Sequence, residues 1–282
     1  MNIQRLFESK KVVYSLEVFP PKKTNSIDTI YNTLYGLRGL KPDFISVTYG
    51  AGGSDTQKNK TCEIASLIKS EYQIEPVSHL TCVGSTKQDI IEFLDRLKAS
   101  GVQNILALRG DYTPGVEPQK DFCYASELTA YIKEKGSFDI CGACYPEVHV
   151  QAKDEVEDIR NLRKKVDAGA THLISQLFFD NEAFFKFLDK ARKIGVSKPI
   201  EAGVMPILSK SQITRMIFMC GASLPANIIR ILNKYENSPE DLEKAVDEQM
   251  KALEAQLGQQ GLSLEMYCSF LQTTQEDLRK DS

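Results

Sequence analysis

Val102-Gln103-Asn104-Ile105-Leu106-Ala107-Leu108-Arg109-Gly110-Asp111-Tyr112 is the stretch on which the fold turns. Its apolar run, Val102 to Leu108, has the length and continuity of a strand buried on both faces of a parallel sheet. An arginine, a glycine and an aspartate then arrive together at the strand's C-terminal end. In α/β sheets, open or closed, that end is where ligands bind. An apolar strand ending in polar groups recurs along the chain.

Working outward, further strands are expected at Val12–Val18, Phe44–Thr48, Pro76–Leu80, Asn104–Leu108, Asp139–Ala143, His172–Gln176 and Ile200–Val204. Amphipathic helical stretches alternate with them at Ser26–Leu40, Thr56–Glu71, Thr86–Ser100, Cys123–Lys135, Lys153–Ala168, Asn181–Ile194 and Lys210–Met219. Ser223–Glu236 interrupts the rhythm as an inserted short helix. Ser238-Pro239-Glu240 then has the N-cap and first-turn chemistry of a helix start, here for a helix over Ser238–Gln260. A last strand is expected near Leu262–Phe270. Alternating units with short connections predict an α/β fold with a parallel sheet. Eight such units close a (β/α)8 TIM barrel, expected as a single domain over residues 1–282. An open doubly wound sheet is the alternative that spacing leaves open.

The formal net charge of −3 argues against a basic nucleic-acid-binding surface. No apolar stretch is long enough to span a bilayer, and Met1–Phe7 lacks the layout of a signal peptide. Seven scattered cysteines fit reduced thiols in the cytoplasm, not a disulfide framework. Cys141 and Cys144 form a Cys-x-x-Cys, but positions three apart on a strand point to opposite faces. No second pair stands at zinc spacing, so no metal is expected.

The strand ends supply the candidates for chemistry. Glu17 sits in an apolar run, where burial raises a carboxyl's pKa and suits it to act as an acid; the alternative is a Glu paired with an internal Lys or Arg. Thr48 precedes a glycine-rich turn that is neither a Walker nor a Rossmann loop. His79 ends the third strand. Arg109 is a fixed cation for a phosphate or carboxylate, and Asp111 can hydrogen-bond or steer charge, unless the two form an internal ion pair. Tyr145 and His149 can pack on a planar group. Asp158, Asn161 and Lys165 share one helical face, by default a solvated one. Gln176 offers a donor and an acceptor, and Phe178 and Phe179 are either a wall for an aromatic ligand or core.

Taken together, six blocks resemble the flavin-dependent methylenetetrahydrofolate reductases. They are Ser15-Leu16-Glu17-Val18-Phe19-Pro20-Pro21, Val47-Thr48-Tyr49-Gly50-Ala51-Gly52-Gly53-Ser54, His79-Leu80-Thr81-Cys82-Val83-Gly84, Leu106-Ala107-Leu108-Arg109-Gly110-Asp111, Tyr145-Pro146-Glu147-Val148-His149 and Gln176-Leu177-Phe178-Phe179-Asp180. They stand in the family's order and at similar spacing, within Val12 to Ala255, and the match is to the bacterial-type catalytic barrel only. The resemblance implies a barrel holding FAD at its strand ends. It also implies reduction of 5,10-methylenetetrahydrofolate to 5-methyltetrahydrofolate, with NAD(P)H as the hydride source and the flavin as carrier. Carried over by motif, Glu17 matches the general acid, which also touches folate, and Asp111 the aspartate beside flavin and pterin. Gln176 matches a folate-binding glutamine. Thr48, His79, Arg109, Gly110, Tyr124, Ala125, Tyr145, His149, Asp158, Asn161 and Lys165 match flavin contacts. A cytoplasmic homo-oligomer, with neither nucleic acid nor membrane as partner, is the implied setting.

The final segment, Gly261-Leu262-Ser263-Leu264-Glu265-Met266-Tyr267-Cys268-Ser269-Phe270, matches the family's last strand loosely; its His, its Asn and a second Gly are absent. This motivates two alternatives: a flavin- and folate-binding subunit fed by an electron-donor partner protein, and an inactive paralogue.

Overall fold

The computed structural model describes residues 1–21, 28–49, 55–111, 121–205, 207, 209–235, 238, 240–242, 244–245, 248 and 251. The glycine-rich turn at 50–54, Tyr112 and the expected last strand at 262–270 lie outside the described residues. The elements run α1 (Gln4–Ser9), β1 (Ser15–Val18), α2 (Asp28–Leu37, continued by a 3-10 turn Arg38–Leu40), β2 (Phe44–Val47), α3 (Asp55–Glu71), β3 (Glu75–Thr81), α4 (Lys87–Ala99) and β4 (Asn104–Leu108). They continue with α5 (Ala125–Lys135), β5 (Asp139–Cys144), α6 (Glu155–Ala168), β6 (His172–Ser175), α7 (Asn181–Lys193), β7 (Ile200–Glu201), α8 (Lys210–Cys220) and α9 (Ala226–Lys234). The seven strands form one sheet in the order β1-β2-β3-β4-β5-β6-β7. Each register that is resolved is parallel, as sequential βα units require.

The chain separates into two compact units. One comprises Met1–Ala143, Asn161–Ile174 and Lys198–Glu201; the other comprises Cys144–Arg160, Ser175–Ser197 and the described residues from Ala202 on.

In the first unit, β2 is buried at every position, Phe44 and Ser46 on one face and Ile45 and Val47 on the other. This two-sided burial makes its sequence a continuous apolar run instead of an alternating one. One face carries Val13, Phe44, Val77, Leu106, Cys141 and Ile174, which pack with Ile3, Leu6 and Phe7. Helix α3 lies on β2 and β3, and α5 on β4.

Helix α1, absent from the expected pattern, is held by the first residues of the strands. Ile3 N donates to Asn104 Oδ1 at 3.1 Å and Gln4 N to Asp139 Oδ2 at 2.7 Å. Backbone N–H groups at a helix start have no partner within the helix, and here buried strand side chains supply one. Asn104 Nδ2 also donates to Pro76 O at 3.2 Å. Asn104→Ala therefore leaves buried groups unpaired at both ends, and a loss of about 2–4 kcal/mol in urea unfolding is expected. This segment occupies the N-terminal ends of β4 and β5, so polar groups without a structural task collect at the C-terminal ends.

Two strands are shorter than their apolar runs. Before β1, Tyr14 N donates to Asp43 Oδ2 at 3.0 Å, outside the ladder. After β7, Gly203 N donates to Ser175 Oγ at 2.9 Å, a side chain taking the place of a ladder carbonyl.

In the second unit, Ile213, Leu232 and Leu242 form a core joined by Met205, Ile217, Ile228 and Ile231. Ser209 Oγ caps α8 from Gln212 N at 3.2 Å, and Gly221 at φ 69° ends it. Helix α9 is the expected insertion. Ser238 opens the next helix, its carbonyl accepting from Leu242 N at 3.0 Å. Among the described residues no helix is long and apolar enough to cross a membrane.

Candidate active site

Glu17 stands on β1 opposite Ser46 of β2 and beside His79 of β3. Ser46 Oγ donates to Glu17 Oε2 at 3.4 Å, and His79 Nε2 lies 3.5 Å from the same oxygen without hydrogen-bond alignment. No Lys or Arg pairs with Glu17 among the described residues. Burial pushes the Glu17 carboxyl up to about 7, against a smaller pull downward from the Ser46 hydroxyl. The side chain is nevertheless 39% accessible, so the carboxyl lies deep but is still wetted. A planar ligand that dried this recess would raise it further. His79, 5% exposed, is driven down to about 3 by burial, so its ring is neutral. With His79 uncharged, the two groups do not form an ion pair.

The turn after β4 is built around Gly110. Its φ is +84°, and a Cβ there would lie 2.9 Å from Thr81 Cβ, so both backbone and space demand glycine. The carbonyl of Arg109 accepts from Cys82 N at 3.2 Å and Val83 N at 2.8 Å, which ties the turn to the end of β3. Arg109 Nε donates to Gly110 O at 3.3 Å, folding the guanidinium over the turn, and Asp111 is exposed. Thr48 continues the ladder through its N–H to Val18 O at 3.0 Å.

Lys165 of α6 reaches back to the end of β5, donating to Ala143 O at 2.7 Å. Lys164 joins two other candidates: its ammonium lies 6.0 Å from the centre of the Tyr124 ring and donates to Asn161 Oδ1 at 3.2 Å. Tyr124 precedes α5 and is exposed, whereas Ala125 is buried in its first turn.

The second unit gathers Tyr145, His149 and Asp158. The Tyr145 and His149 rings meet edge to face at 4.5 Å. Asp158 Oδ2 accepts from His149 N at 3.3 Å, and Val148 takes a positive φ of 71° in the same turn. His149 Nδ1 accepts from Gln151 N at 3.1 Å, which assigns the proton of a neutral ring to Nε2. Gln176 follows β6; its N–H donates to Cys144 O at 2.7 Å and its Oε1 accepts from Leu177 N at 2.8 Å. The carboxamide is thus oriented by backbone, with its NH2 as the end for recognition. Phe178 stacks on Phe184 at 4.4 Å and is buried, which makes it core. Cys141 and Cys144 are buried thiols, and no group of His, Cys, Asp or Glu suited to a metal occurs among the described residues.

Glu201 of β7 was missed, although it carries the same signal as Glu17: a carboxyl beside an apolar strand residue. It is buried, and Ser15 Oγ donates to its Oε1 at 2.7 Å. Burial first, then repulsion from Glu17 and Asp43, pushes it up to about 7. His172, packed on Phe7, is pushed down to about 4 by burial.

These four groups give stability a defined pH profile. The unfolded chain protonates its histidines near 6.5 and the folded one does not, so stability falls as pH drops from 6.5 towards 3–4. The folded carboxyls keep protons that the unfolded chain releases near 4.5, so stability falls as pH rises from 4.5 to about 7. A plateau in Tm between these limits, with a decline on each side, is expected from calorimetry.

A sequential, parallel, helix-covered sheet with its polar groups at the C-terminal strand ends is a TIM-barrel-like α/β fold. A Clostridium thermocellum protein that binds two copies of 5-methyl-5,6,7,8-tetrahydrofolic acid shares it, with a TM-score of 0.60 at 16% identity over 90% of this chain and 88% of that one. The model of the Methylenetetrahydrofolate reductase family matches residues 2–269. The 5,10-methylenetetrahydrofolate reductase of Escherichia coli (strain K12) is 36% identical over 226 residues, 80% of this chain and 75% of that protein. Methylenetetrahydrofolate reductase (NADH) 1 of Arabidopsis thaliana is 34% identical over 254 residues, 85% of this chain but 43% of the plant protein. The chain belongs to the methylenetetrahydrofolate reductase family.

Proposed function

We propose that this chain, acting as one catalytic domain over residues 1–282 in the cytoplasm, reduces 5,10-methylenetetrahydrofolate to 5-methyltetrahydrofolate. FAD would serve as the resident carrier and NAD(P)H as the hydride source, in two separate half-reactions. The observation that carries the reading is Glu17: a deep, accessible carboxyl that holds its proton near neutral pH, at a strand end, in a chain of this family.

The residues fit a flavin. His79 Nε2 is buried with no hydrogen-bond partner among the described residues. Arg109 and Lys165 bring cations to the ends of β4 and β5, and Tyr145 with His149 forms an aromatic pair after β5. Thr48, His79, Arg109, Gly110, Asp111, Tyr124, Ala125, Tyr145, His149, Asp158, Asn161 and Lys165 would hold it. Bound there, a flavin supplies two-electron hydride chemistry that no side chain provides.

The residues do the rest. Glu17 donates its proton to the amine nitrogen that leaves when the folate's five-membered ring opens, and the carbon it leaves behind becomes a cationic iminium. Asp111 places negative charge near that cation, lowering the cost of its formation. Gln176 presents its NH2 to the pterin edge.

The loose match at 261–270 favours a second reading, a flavin- and folate-binding subunit fed by a partner protein. Anaerobic mixing of the flavin-loaded protein with NADH and with NADPH separates the two. Bleaching of the flavin band by either nucleotide supports the reductase; no bleaching by either, with flavin bound, supports the partner-fed subunit.

A further inference from the structure

Strand β7 ends in a carboxyl that the proposed chemistry does not use. Glu201 is 7% exposed and stands in register with Ile174 of β6. Its Oε1 accepts from Ser15 Oγ, while its Oε2 is buried with no hydrogen-bond partner among the described residues. A buried carboxylate oxygen without a donor is costly, and a proton on it removes the cost. Ser15 and Glu17 are two residues apart on β1, hence on one face and roughly 7 Å apart along the strand. Ser15 therefore ties Glu201 to the face that carries Glu17.

On the Glu17 side stand the Ser46 hydroxyl and the neutral His79. On the Glu201 side stands Asp43, whose carboxylate is engaged by Lys10 and by Tyr14 N. Neither Glu17 nor Glu201 pairs with a Lys or Arg among the described residues. Two carboxyls tied to one sheet face, Glu201 buried and Glu17 only partly wetted, ionise together at a cost and so titrate as a pair.

We propose that Glu201 is a positioning residue for the proton of Glu17: linked through Ser15, the two carboxyls titrate as one coupled pair, and the charge of either holds the proton on the other further towards the alkaline side. The proposal rests on the reading of Glu17 as the acid. It gives Glu201 a task in turnover, since an acid that gives up its proton each cycle must regain it at neutral pH. Burial acts in this direction on both carboxyls, and repulsion from Glu17 adds to it at Glu201.

The test is a carboxyl titration of the flavin-loaded full chain between pH 5 and 9, with 13C-labelled glutamate followed by NMR. Glu17 is expected to titrate in two steps in the unaltered protein. In Glu201→Gln, which keeps an acceptor for Ser15, it is expected to titrate in one step, about one pH unit lower. The reciprocal variant Glu17→Gln must lower the titration of Glu201 by a similar amount, because coupling is mutual. The alkaline limb of the folate half-reaction should move with Glu17, a ~10-fold lower rate on that side in Glu201→Gln. A single step for Glu17 at the same pH in both proteins overturns the proposal. A normal rate in Glu17→Gln would overturn the acid role instead, with the coupling seen by NMR left standing.

Discussion

Glu17→Gln is expected to slow reduction of methylenetetrahydrofolate by about 10²- to 10⁴-fold, the usual contribution of a positioned acid. Flavin binding and reduction of the flavin by nucleotide should be nearly unchanged, because neither needs that proton. Gln still accepts from Ser46 Oγ, as Glu17 Oε2 does at 3.4 Å, and adds no charge beside His79, so the fold should survive. The pH dependence follows from the same residue. The acid must be protonated, and its carboxyl is held up at about 7, so the rate of the folate step should decline by up to tenfold per unit above that pH. In Glu17→Gln the decline should vanish along with the rate. Stopped-flow reoxidation of reduced flavin across pH 6–9 reads both effects; a rate within threefold of the unaltered protein would remove Glu17 from the chemistry.

The second large effect is expected at Gly203. A Cβ built there lies 2.2 Å from the carbonyl oxygen of Ser175 and 3.3 Å from the carbonyl carbon of Gln176. Both are backbone atoms, so no rotamer change relieves the clash. Gly203 N is also fixed by Ser175 Oγ at 2.9 Å, which prevents the segment from sliding away. Gly203→Ala should therefore cost about 3 kcal/mol or more, at or beyond the upper range for overpacking. Whatever fraction folds should bind folate poorly, because the displaced backbone carries Gln176. Denaturant unfolding and folate KM check the two parts. Unaltered stability would mean that the Ser175–Gly203 approach is not as close as described.

The seven strands were legible because two-sided burial writes each as an apolar run closed by polar residues. Their ends were less so, since Tyr14 and Gly203 leave the ladder for side-chain partners distant in sequence, Asp43 and Ser175. Helix α1 was not legible: it has six residues and depends on Asn104 and Asp139, over a hundred positions away. For the candidate site, motif and strand position pointed to Glu17 and His79, but not to the direction in which each is shifted, which depends on burial in three dimensions. Glu201 shows the limit most clearly. Ile200-Glu201 carries the same local pattern as Leu16-Glu17, yet its importance comes from Ser15, 186 positions earlier.

The central claim is the folate half-reaction. The protein is loaded with FAD, reduced anaerobically with dithionite and mixed with methylenetetrahydrofolate while the flavin band is followed. The account predicts rapid reoxidation, with 5-methyltetrahydrofolate as the product. Flavin that stays reduced in the presence of bound folate would contradict it.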